Sequence, residues 1–297
     1  MAKSNPTSID TVKNHYDALQ AYFRSRESRV GYRLVLGDTR HCGYWKKDTW
    51  RMLPLSKALR EMEDELFKSL GLSRGSRVLD AGCGAGHVAL HMASKGLRVT
   101  GIDYMKEHLD MAKQNLDRSD EALKGNITLE EMDFHNLKTL EPGSFDGVYT
   151  METLAHAHDA EKALEEFHRI LKPGGKIVLH DYEHGISEEI APHLLQAKEQ
   201  VTRYGAIPTW GEAKYGYFEE RLKRVGFENV VVKDYSENVR PMLRLFWMMA
   251  FIPNFFVQLF GLQASFVNTI AGAYMYRGQK YWRYLSISAT KKTNKAT

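Results

Sequence analysis

The most constraining feature of this chain is a run of glycines on alternate positions that follows a short apolar segment. Val78 and Leu79 precede Asp80, and Asp-Ala-Gly-Cys-Gly-Ala-Gly occupies positions 80–86. The apolar pair predicts the end of a buried strand and residues 87–94 predict a helix, so the glycines form a strand-to-helix turn. Glycine permits positive φ in such a turn and, without a Cβ, lets the backbone approach a ligand. The turn therefore predicts a nucleotide-like cofactor site.

Strand and helix patterns alternate along the chain after this turn. Strands are expected at residues 77–81, 98–103, 127–132, 145–151, 176–181, 228–235 and 281–290. Helices are expected between them, among others at 87–95, 106–117 and 160–171. Such alternation predicts an α/β fold, a Rossmann-like, seven-stranded and mainly parallel sheet with helices on both faces. Ligands of such sheets bind beyond the carboxyl ends of the strands.

The chain is predicted to form a single domain in three segments. Residues 1–70 give an N-terminal helical lid, residues 71–183 the cofactor-binding core, and residues 184–297 complete the sheet with substrate-binding insertions. The insertions, at 184–217 and 241–278, follow strands and so are placed to cover a pocket. The second is rich in aromatic residues and methionine, as expected of a buried or lid-forming helix pair. This composition favours a small apolar or aromatic substrate.

Composition and charge argue against several other classes of protein. The 41 lysines and arginines only slightly exceed the 37 acids, and their spread along the chain does not indicate a nucleic-acid partner. Cys42 and Cys83 cannot form a disulfide framework or a cysteine metal site, no other metal-ligand spacing occurs, and no feature indicates an oligomeric state. The N-terminus lacks the apolar core of a secretory signal, so a cytoplasmic protein is expected. The apolar segment 245–260 is too short for a membrane span, with peripheral membrane contact as the alternative.

Two cofactor classes share a glycine turn of this kind. Gly-x-Gly-x-x-Ala at 84–89 satisfies a permissive dinucleotide pattern, which keeps a nicotinamide-dependent oxidoreductase as an alternative. Three further features favour S-adenosylmethionine: Asp80 before the glycines, Asp103 at the end of the next strand, and Lys-Pro-Gly-Gly at 172–175. Together these features resemble the motif set of class I S-adenosylmethionine-dependent methyltransferases.

The resemblance implies S-adenosylmethionine as cofactor and assigns its contacts. The backbone of the glycine turn would hold the methionine moiety, with Asp80 fixing the ammonium group, while Asp103 accepts hydrogen bonds from the ribose hydroxyls. Tyr104 and Met105 would flank the adenine, an aromatic ring and a thioether being good partners for a flat base. The implied cofactor-binding residues are Tyr16, Tyr44, Asp80, Ala81, Gly82, Gly84, Gly86, Asp103, Tyr104, Met105, Asp133, Phe134 and Met151.

The later motifs resemble a small-molecule subgroup of that family. Leu-Ala-His-Ala-His at 154–158 and His-Cys-Gly-Tyr-Trp at 41–45 are similar to elements of the sterol, ubiquinone and tocopherol methyltransferases. In that group the N-terminal segment folds over the cofactor, which implies that the Tyr16 and Tyr44 hydroxyls reach its methionine carboxylate. Asp133 would accept from the adenine amino group. Beyond residue 238 the pattern is similar to fungal secondary-metabolite methyltransferases.

Methyl transfer requires aligned reactants, and a base only where a hydroxyl or amide acceptor must lose its proton. His156 is the best candidate because imidazole titrates near neutrality and the turn after the fourth strand faces the reaction centre. Glu152 is the second catalytic candidate; the other histidines considered are His158, His180, His184 and His41. The predicted function is methyl transfer to a nitrogen or oxygen of a small, largely apolar secondary metabolite. C-methylation of a sterol-like or quinone-like lipid, nicotinamide-dependent oxidoreduction and non-catalytic cofactor binding are the alternatives.

Overall fold

Seven strands form one sheet in the computed structural model, which describes residues 9–186 and 191–293. The strands are β1 (Arg77–Ala81), β2 (Arg98–Asp103), β3 (Ile127–Glu131), β4 (Phe145–Met151), β5 (Leu171–His184), β6 (Phe227–Asp234) and β7 (Trp282–Lys291). Their order is β3-β2-β1-β4-β5-β7-β6, and β7 runs antiparallel to both of its neighbours. The prediction of a Rossmann-like, mainly parallel seven-stranded sheet is therefore confirmed.

Twelve α-helices surround the sheet in the described part of the chain. They are α1 (Ile9–Arg24), α2 (Arg26–Leu36), α3 (Leu55–Leu70), α4 (His87–Ser94), α5 (Lys106–Asp117), α6 (Glu121–Lys124), α7 (Ala160–Ile170), α8 (Pro192–Tyr204), α9 (Pro208–Glu212), α10 (Tyr217–Val225), α11 (Ser236–Leu259) and α12 (Val267–Met275). The parts of the predicted lid and insertions at residues 1–8, 187–190 and 294–297 lie outside the described residues.

The side-chain alternation of β1 shows how the sheet acquires a core on each face. Val78 packs with Met62 of α3 and Met92 of α4, whereas the next residue, Leu79, packs with Leu164 and the other buried side chains of α7 and α10. Successive residues of a strand point to opposite faces, so a strand that is buried on both faces is apolar throughout. The result is a three-layer domain.

The chain reverses direction across the sheet at β1, which places a ligand crevice there. β1 pairs in parallel with β2 on one side and with β4 on the other. The carboxyl ends of these three strands therefore meet at a topological switch point, where open α/β sheets bind ligands. Asp80, Asp103 and Met151 all lie at these strand ends.

The Lys-Pro-Gly-Gly segment lies inside β5 rather than before it. The strand begins at Leu171, five residues earlier than expected, and continues to His184. Its pairing with β4 is irregular between Phe145 and Gly147, and Gly174 has a φ of 79°. A glycine in a strand commonly marks such an irregularity, which explains why a local pattern typical of a turn is built into a strand.

Candidate active site

A cavity of about 500 Å³ lies at the carboxyl ends of β1, β2 and β4. Strand-end residues form one part of its lining, and α1, α2, α8, α11, α12 and the segment 38–42 contribute most of the remainder. Its size is typical of small-molecule sites. The glycine turn and the two predicted insertions therefore meet in one chamber.

The glycines of the turn have different roles. Gly82, Gly84 and Gly86 have φ angles of 88°, 54° and 79°. A Cβ on Gly82 would lie 2.0 Å from Cγ2 of Thr153, so this position admits no side chain. Gly84 has no such neighbour; its backbone N–H donates to Oδ2 of Asp103 at 2.9 Å. The turn thus packs against the β4 loop through one glycine and orients an acid through the next.

Two residues of this turn that the resemblance assigns to cofactor binding, Ala81 and Gly86, do not line the cavity. Ala81 is fully buried in the core on the α7 side of the sheet. Gly86 precedes α4 and lies against Ala112 of α5, where a Cβ would approach to 3.0 Å. Both residues therefore pack against the protein interior and support the conformation of the turn.

Asp80 is a buried acid with one carboxylate oxygen that has no hydrogen-bond partner among the described residues. The residue is 1 % exposed, lines the cavity, and its Oδ2 makes no hydrogen bond of normal geometry with any described residue. Burial raises the pKa of the Asp80 carboxyl to about 7, although the Tyr149 hydroxyl opposes the rise. A buried carboxylate is stable when a cation pairs with it, so this position suits the ammonium group of the predicted cofactor.

Arg40 supplies the complementary charge, and the sequence reasoning missed it. Its Nε and Nη1 atoms are buried without a hydrogen-bond partner among the described residues. The guanidinium lies over the rings of Phe23 and Tyr32, 5.0 and 4.7 Å from their centroids, and its Cδ lies beside Gly84. An unpaired cation and an unpaired acid at one glycine turn fit the two charged ends of an amino acid. The only signal was an arginine directly before the motif at 41–45.

Asp103 is held rigidly at the end of β2. Its carboxylate accepts hydrogen bonds from the backbone N–H groups of Gly84 and Met105, at 2.9 and 2.8 Å, and lies 3.3 Å from Nδ1 of His108. Although burial acts in the opposite direction, the hydrogen bonds from His108 and from the backbone of Met105 and Gly84 hold the pKa of Asp103 below its usual value. The carboxylate is therefore ionised and oriented, as a ribose-binding acid must be.

The predicted adenine-binding residues lie together in the cavity wall. Tyr104, Met105, Asp133 and Phe134 all line it. Asp133 accepts from the backbone N–H of His135 at 2.9 Å and lies 2.7 Å from Nδ1 of that ring. Although burial opposes it, the histidine holds the pKa of Asp133 at about 2. These residues are brought to one place, and their contact with adenine stays a prediction.

The structure corrects the predicted roles of the two tyrosines. Tyr16 lines the cavity, but its hydroxyl donates to the Asp133 carboxylate and its ring stacks on Tyr104 with centroids 4.3 Å apart. Tyr16 therefore lies beside the residues predicted to bind adenine, and not beside those predicted to bind the methionine carboxylate. Tyr44 does not line the cavity; its ring contacts Tyr235 at a centroid distance of 5.1 Å. Aromatic residues are common in both cores and binding sites, so the motif could not separate these environments.

His156 lies in the cavity wall as a neutral imidazole. Its Nδ1 is 2.9 Å from the carbonyl oxygen of Ala206, which fixes the hydrogen on Nδ1 and leaves Nε2 as an acceptor. Burial lowers the pKa of His156 to about 4. The ring also contacts Phe23 at a centroid distance of 5.2 Å. His156 is thus available to accept a hydrogen bond or a proton at neutral pH.

Glu152 is fixed by hydrogen bonds rather than free to act as a base. It lines the cavity in a left-handed conformation with a φ of 57°. Its carboxylate accepts from the backbone N–H of Cys42, from the Tyr182 hydroxyl and, at 2.9 Å, from the Tyr284 hydroxyl. Three donors from separate segments hold this acid in place, which favours a positioning role over the predicted catalytic one.

Three of the other histidines considered lie outside the cavity: His158, His180 and His184. His41 lines it, with Nδ1 2.9 Å from the Cys42 carbonyl oxygen and Nε2 3.3 Å from Oε1 of buried Glu63. Although burial opposes it, Glu63 raises the pKa of His41. In the described residues, no group of three or more His, Cys, Asp or Glu side chains is arranged to hold a metal ion.

The far end of the cavity is mainly apolar and contains one further cation. Its walls are built from α8, α11 and α12, including Leu194, Ala197, Leu243, Phe246, Ala250 and Met275. Lys198 of α8 also lines the cavity. Burial, and secondarily the charge of Lys214, lowers the pKa of Lys198. An apolar chamber with a single lysine can hold a hydrophobic molecule and orient one polar atom of it.

Comparison with known proteins identifies relatives of two activities. Residues 79–179 match the methyltransferase domain family. The S-adenosyl-L-methionine-dependent Diels-Alderase iccD of Talaromyces variabilis is 38% identical over 277 residues, 92% of this chain and 94% of that protein. The O-methyltransferase cnsE of Penicillium expansum is 27% identical over 217 residues, 71% of this chain and 73% of that protein. The crystal structure of the cyclase SpnF has a TM-score of 0.72 at 20% identity, covering 96% of each chain, which is a likeness of fold.

Proposed function

Because this chain belongs to the S-adenosylmethionine-dependent methyltransferase family and binds that cofactor, we propose that it uses the bound cofactor in a Diels–Alder cyclisation of a small, largely apolar metabolite. One observation carries the proposal: the 38% identity to a Diels-Alderase extends over 92% of the chain. The unmatched 8% of the chain is shorter than either insertion, 184–217 or 241–278. The match must therefore include part of both insertions, which build the substrate end of the cavity. Fold alone does not assign a reaction, and substrate-lining residues are more informative.

The arrangement of acid–base groups supports this chemistry. In an intramolecular Diels–Alder reaction the three π bonds of a diene and an alkene in one molecule are replaced by two carbon–carbon σ bonds and one new π bond, so the product is an isomer of the substrate. No proton is lost, so no strong base is required. Glu152 is occupied by three donors and burial lowers the pKa of His156 to about 4, so neither is adapted to remove a proton from a weak acid.

The cavity residues would act by orientation and polarisation. The apolar walls of α8, α11 and α12 hold the two reacting ends of one molecule together, and orientation of this kind can contribute about 7–11 kcal/mol. Lys198 donates a hydrogen bond to a substrate carbonyl and Nε2 of His156 accepts one from a hydroxyl. When bound, the cofactor supplies a fixed positive charge beside this chamber.

The residues at the glycine turn fit the cofactor. Asp80 presents one buried carboxylate oxygen, and Arg40 two buried nitrogen atoms, without hydrogen-bond partners among the described residues, and Asp103 presents an oriented carboxylate. Together they would hold the ammonium group, the carboxylate and the ribose hydroxyls of the cofactor.

A second candidate is methyl transfer to a nitrogen or oxygen of such a metabolite. It is favoured by the acceptor atom Nε2 of His156, which lines the same cavity as the glycine turn; because the pKa of His156 is lowered, it would serve as a base only for an acceptor more acidic than an ordinary alcohol. The 27% identity to the Penicillium expansum O-methyltransferase also supports it.

A product assay separates the two reactions. The purified chain is incubated with S-adenosylmethionine and the substrate of the Talaromyces variabilis Diels-Alderase, and products are analysed by liquid chromatography and mass spectrometry. An isomer of unchanged mass, formed without S-adenosylhomocysteine, supports cyclisation. A product heavier by one CH2 group, with equimolar S-adenosylhomocysteine, overturns it in favour of methyl transfer. An unchanged substrate, when the relative converts it in parallel, contradicts the proposed similarity of substrate.

A further inference from the structure

The outward surface of α11 is apolar and exposed. The side chains that define this α11 apolar face are Met248, Phe251, Ile252, Phe255, Phe256 and Leu259. Ile252 is 67% and Phe255 62% exposed. Positions 248, 252, 255 and 259 follow the spacing of one helix face, so these side chains form a continuous stripe. Phe260 and Leu262, also exposed, extend it beyond the helix. Monomeric soluble proteins rarely present a patch of this kind without a partner.

The opposite side of the same helix belongs to the fold. Met242, Leu243, Ala250 and Val257 are buried, and α11 packs against α12 and β7. Within the described residues, α11 is also the one helix that is long and apolar enough, by length and composition, to cross a membrane. Because one side is packed on protein and lines the cavity, the helix is arranged to lie along a surface rather than to cross a bilayer.

Two arginines lie beside this face, in a stretch of sequence, residues 238–293, that contains no Asp or Glu. Other basic residues of the stretch are paired with acids from elsewhere: Arg240 with Glu237, Arg283 with Asp234 and Lys292 with Glu228. Arg277 lies over the rings of Trp247 and Phe251, 4.8 and 5.3 Å from their centroids. Arg244 lies over the ring of Trp50, which is 80% exposed, at 4.4 Å. The arginines therefore border the apolar face together with a tryptophan.

From these observations we propose that the α11 apolar face docks on an anionic lipid surface, with the helix axis parallel to the membrane plane. Phe, Ile, Leu and Met side chains enter the interface, and the bordering arginines pair with lipid phosphates. A second copy of this chain is a poorer partner because a two-fold contact through this face would bring the same arginines together. Met249 is half-exposed and also lines the cavity, so the docked face adjoins the substrate chamber.

Flotation with lipid vesicles tests this proposal on the full chain. Phosphatidylcholine vesicles with and without phosphatidylserine are the probes. We expect binding to the phosphatidylserine vesicles, weakened by added salt because the arginine contribution is screened. Replacing Ile252→Ser or Phe255→Ser should reduce partitioning about tenfold or more, the effect of losing one buried apolar side chain. Arg277→Gln should reduce it about fivefold on the anionic vesicles.

A matched variant outside the α11 apolar face serves as the control. Leu34 of α2 is 79% exposed and is not part of that face, so Leu34→Ser removes a similar apolar side chain and should leave flotation unchanged. Thermal unfolding and S-adenosylmethionine binding verify that each variant is folded. Absence of wild-type flotation, or equal flotation of Phe255→Ser, would overturn the proposal. A wild-type dimer in sedimentation velocity that Phe255→Ser dissociates would instead assign the face to self-association.

Discussion

Replacing Arg40 with methionine should weaken cofactor binding while leaving the free protein close to its original stability. The guanidinium has two buried nitrogen atoms without partners, Nε and Nη1. A hydrogen bond to a charged group contributes about 1.5–3 kcal/mol. Loss of one such bond to the cofactor carboxylate corresponds to a dissociation constant roughly 10- to 150-fold higher. The free energy of unfolding of the free protein should change little because two effects oppose each other. Removal of the unpaired donors is stabilising, whereas loss of the stacking on Phe23 and on Tyr32 costs about 0.5–1 kcal/mol each.

Isothermal titration calorimetry with S-adenosylmethionine and S-adenosylhomocysteine measures this effect. Arg40→Lys keeps the charge but not the planar fork, so an intermediate affinity is expected. Arg277→Met is the matched control, since that arginine also stacks on two aromatic rings but does not line the cavity. Unchanged affinity in Arg40→Met, with a normally folded protein, would refute the assignment of Arg40 to the cofactor carboxylate.

Three further predictions concern the glycine turn and the acids beside it. Asp103→Ala should weaken S-adenosylmethionine binding by about 1–3 kcal/mol in calorimetry, and unchanged affinity would contradict the ribose assignment. Burial raises the pKa of Asp80 to about 7, so this group's contribution to the stability of the free protein falls as pH rises from about 4 to about 7. Since the ammonium of the cofactor pairs with the ionised acid, the affinity for S-adenosylmethionine should rise as the pH rises through the pKa of Asp80. Asp80→Asn should remove this pH dependence; the same pH dependence in the variant and the wild type would reject the pairing. Gly82→Ala, where a Cβ would lie 2.0 Å from Thr153, should lower the unfolding temperature more than Gly84→Ala, where a Cβ would meet only Arg40 Cδ, at 3.9 Å. Both glycines have a positive φ, so the backbone strain is common to the two substitutions. A Thr153→Ala background should restore part of the loss at Gly82, and equal effects of the two substitutions would refute the packing role.

The cofactor half of the cavity was largely predictable from the sequence because its signals are local. A strand that ends in Asp80 and continues into glycines specifies both the turn and the direction of the strand. The side chain of Asp103 then lies next to that turn because β1 and β2 are parallel neighbours. The same local pattern could not distinguish Gly84, which lines the cavity, from Gly86, which packs against α5.

Residues contributed from a distance were harder to predict. Arg40 reaches the glycine turn only because the N-terminal segment folds across the carboxyl edge of the sheet. Glu152 is held by Cys42, Tyr182 and Tyr284, which come from three separate parts of the chain. No spacing within a single segment encodes such contacts. The position of Tyr44 outside the cavity lining was not predictable for the same reason, since its ring packs against Tyr235, which is distant in the sequence.

The two halves of the cavity also differ in what they determine about the reaction. Asp80, Arg40 and Asp103 fit a cofactor that methyl transfer and cyclisation share, so they do not distinguish the reactions. The distinction depends on whether the substrate end removes a proton. There, the titratable groups include Lys198, whose pKa is lowered by burial, Glu27, whose pKa is raised by burial and whose carboxylate accepts hydrogen bonds from Asn268 and Thr269, and His156, which is neutral at pH 7; the rest of the wall is mainly apolar. Such a chamber favours reactions that reorganise electrons within a bound hydrophobic molecule over those that must ionise one, because burial penalises every new charge. The residues of α8, α11 and α12 at the substrate end of the cavity, rather than the glycine turn, therefore determine which of the two reactions is favoured.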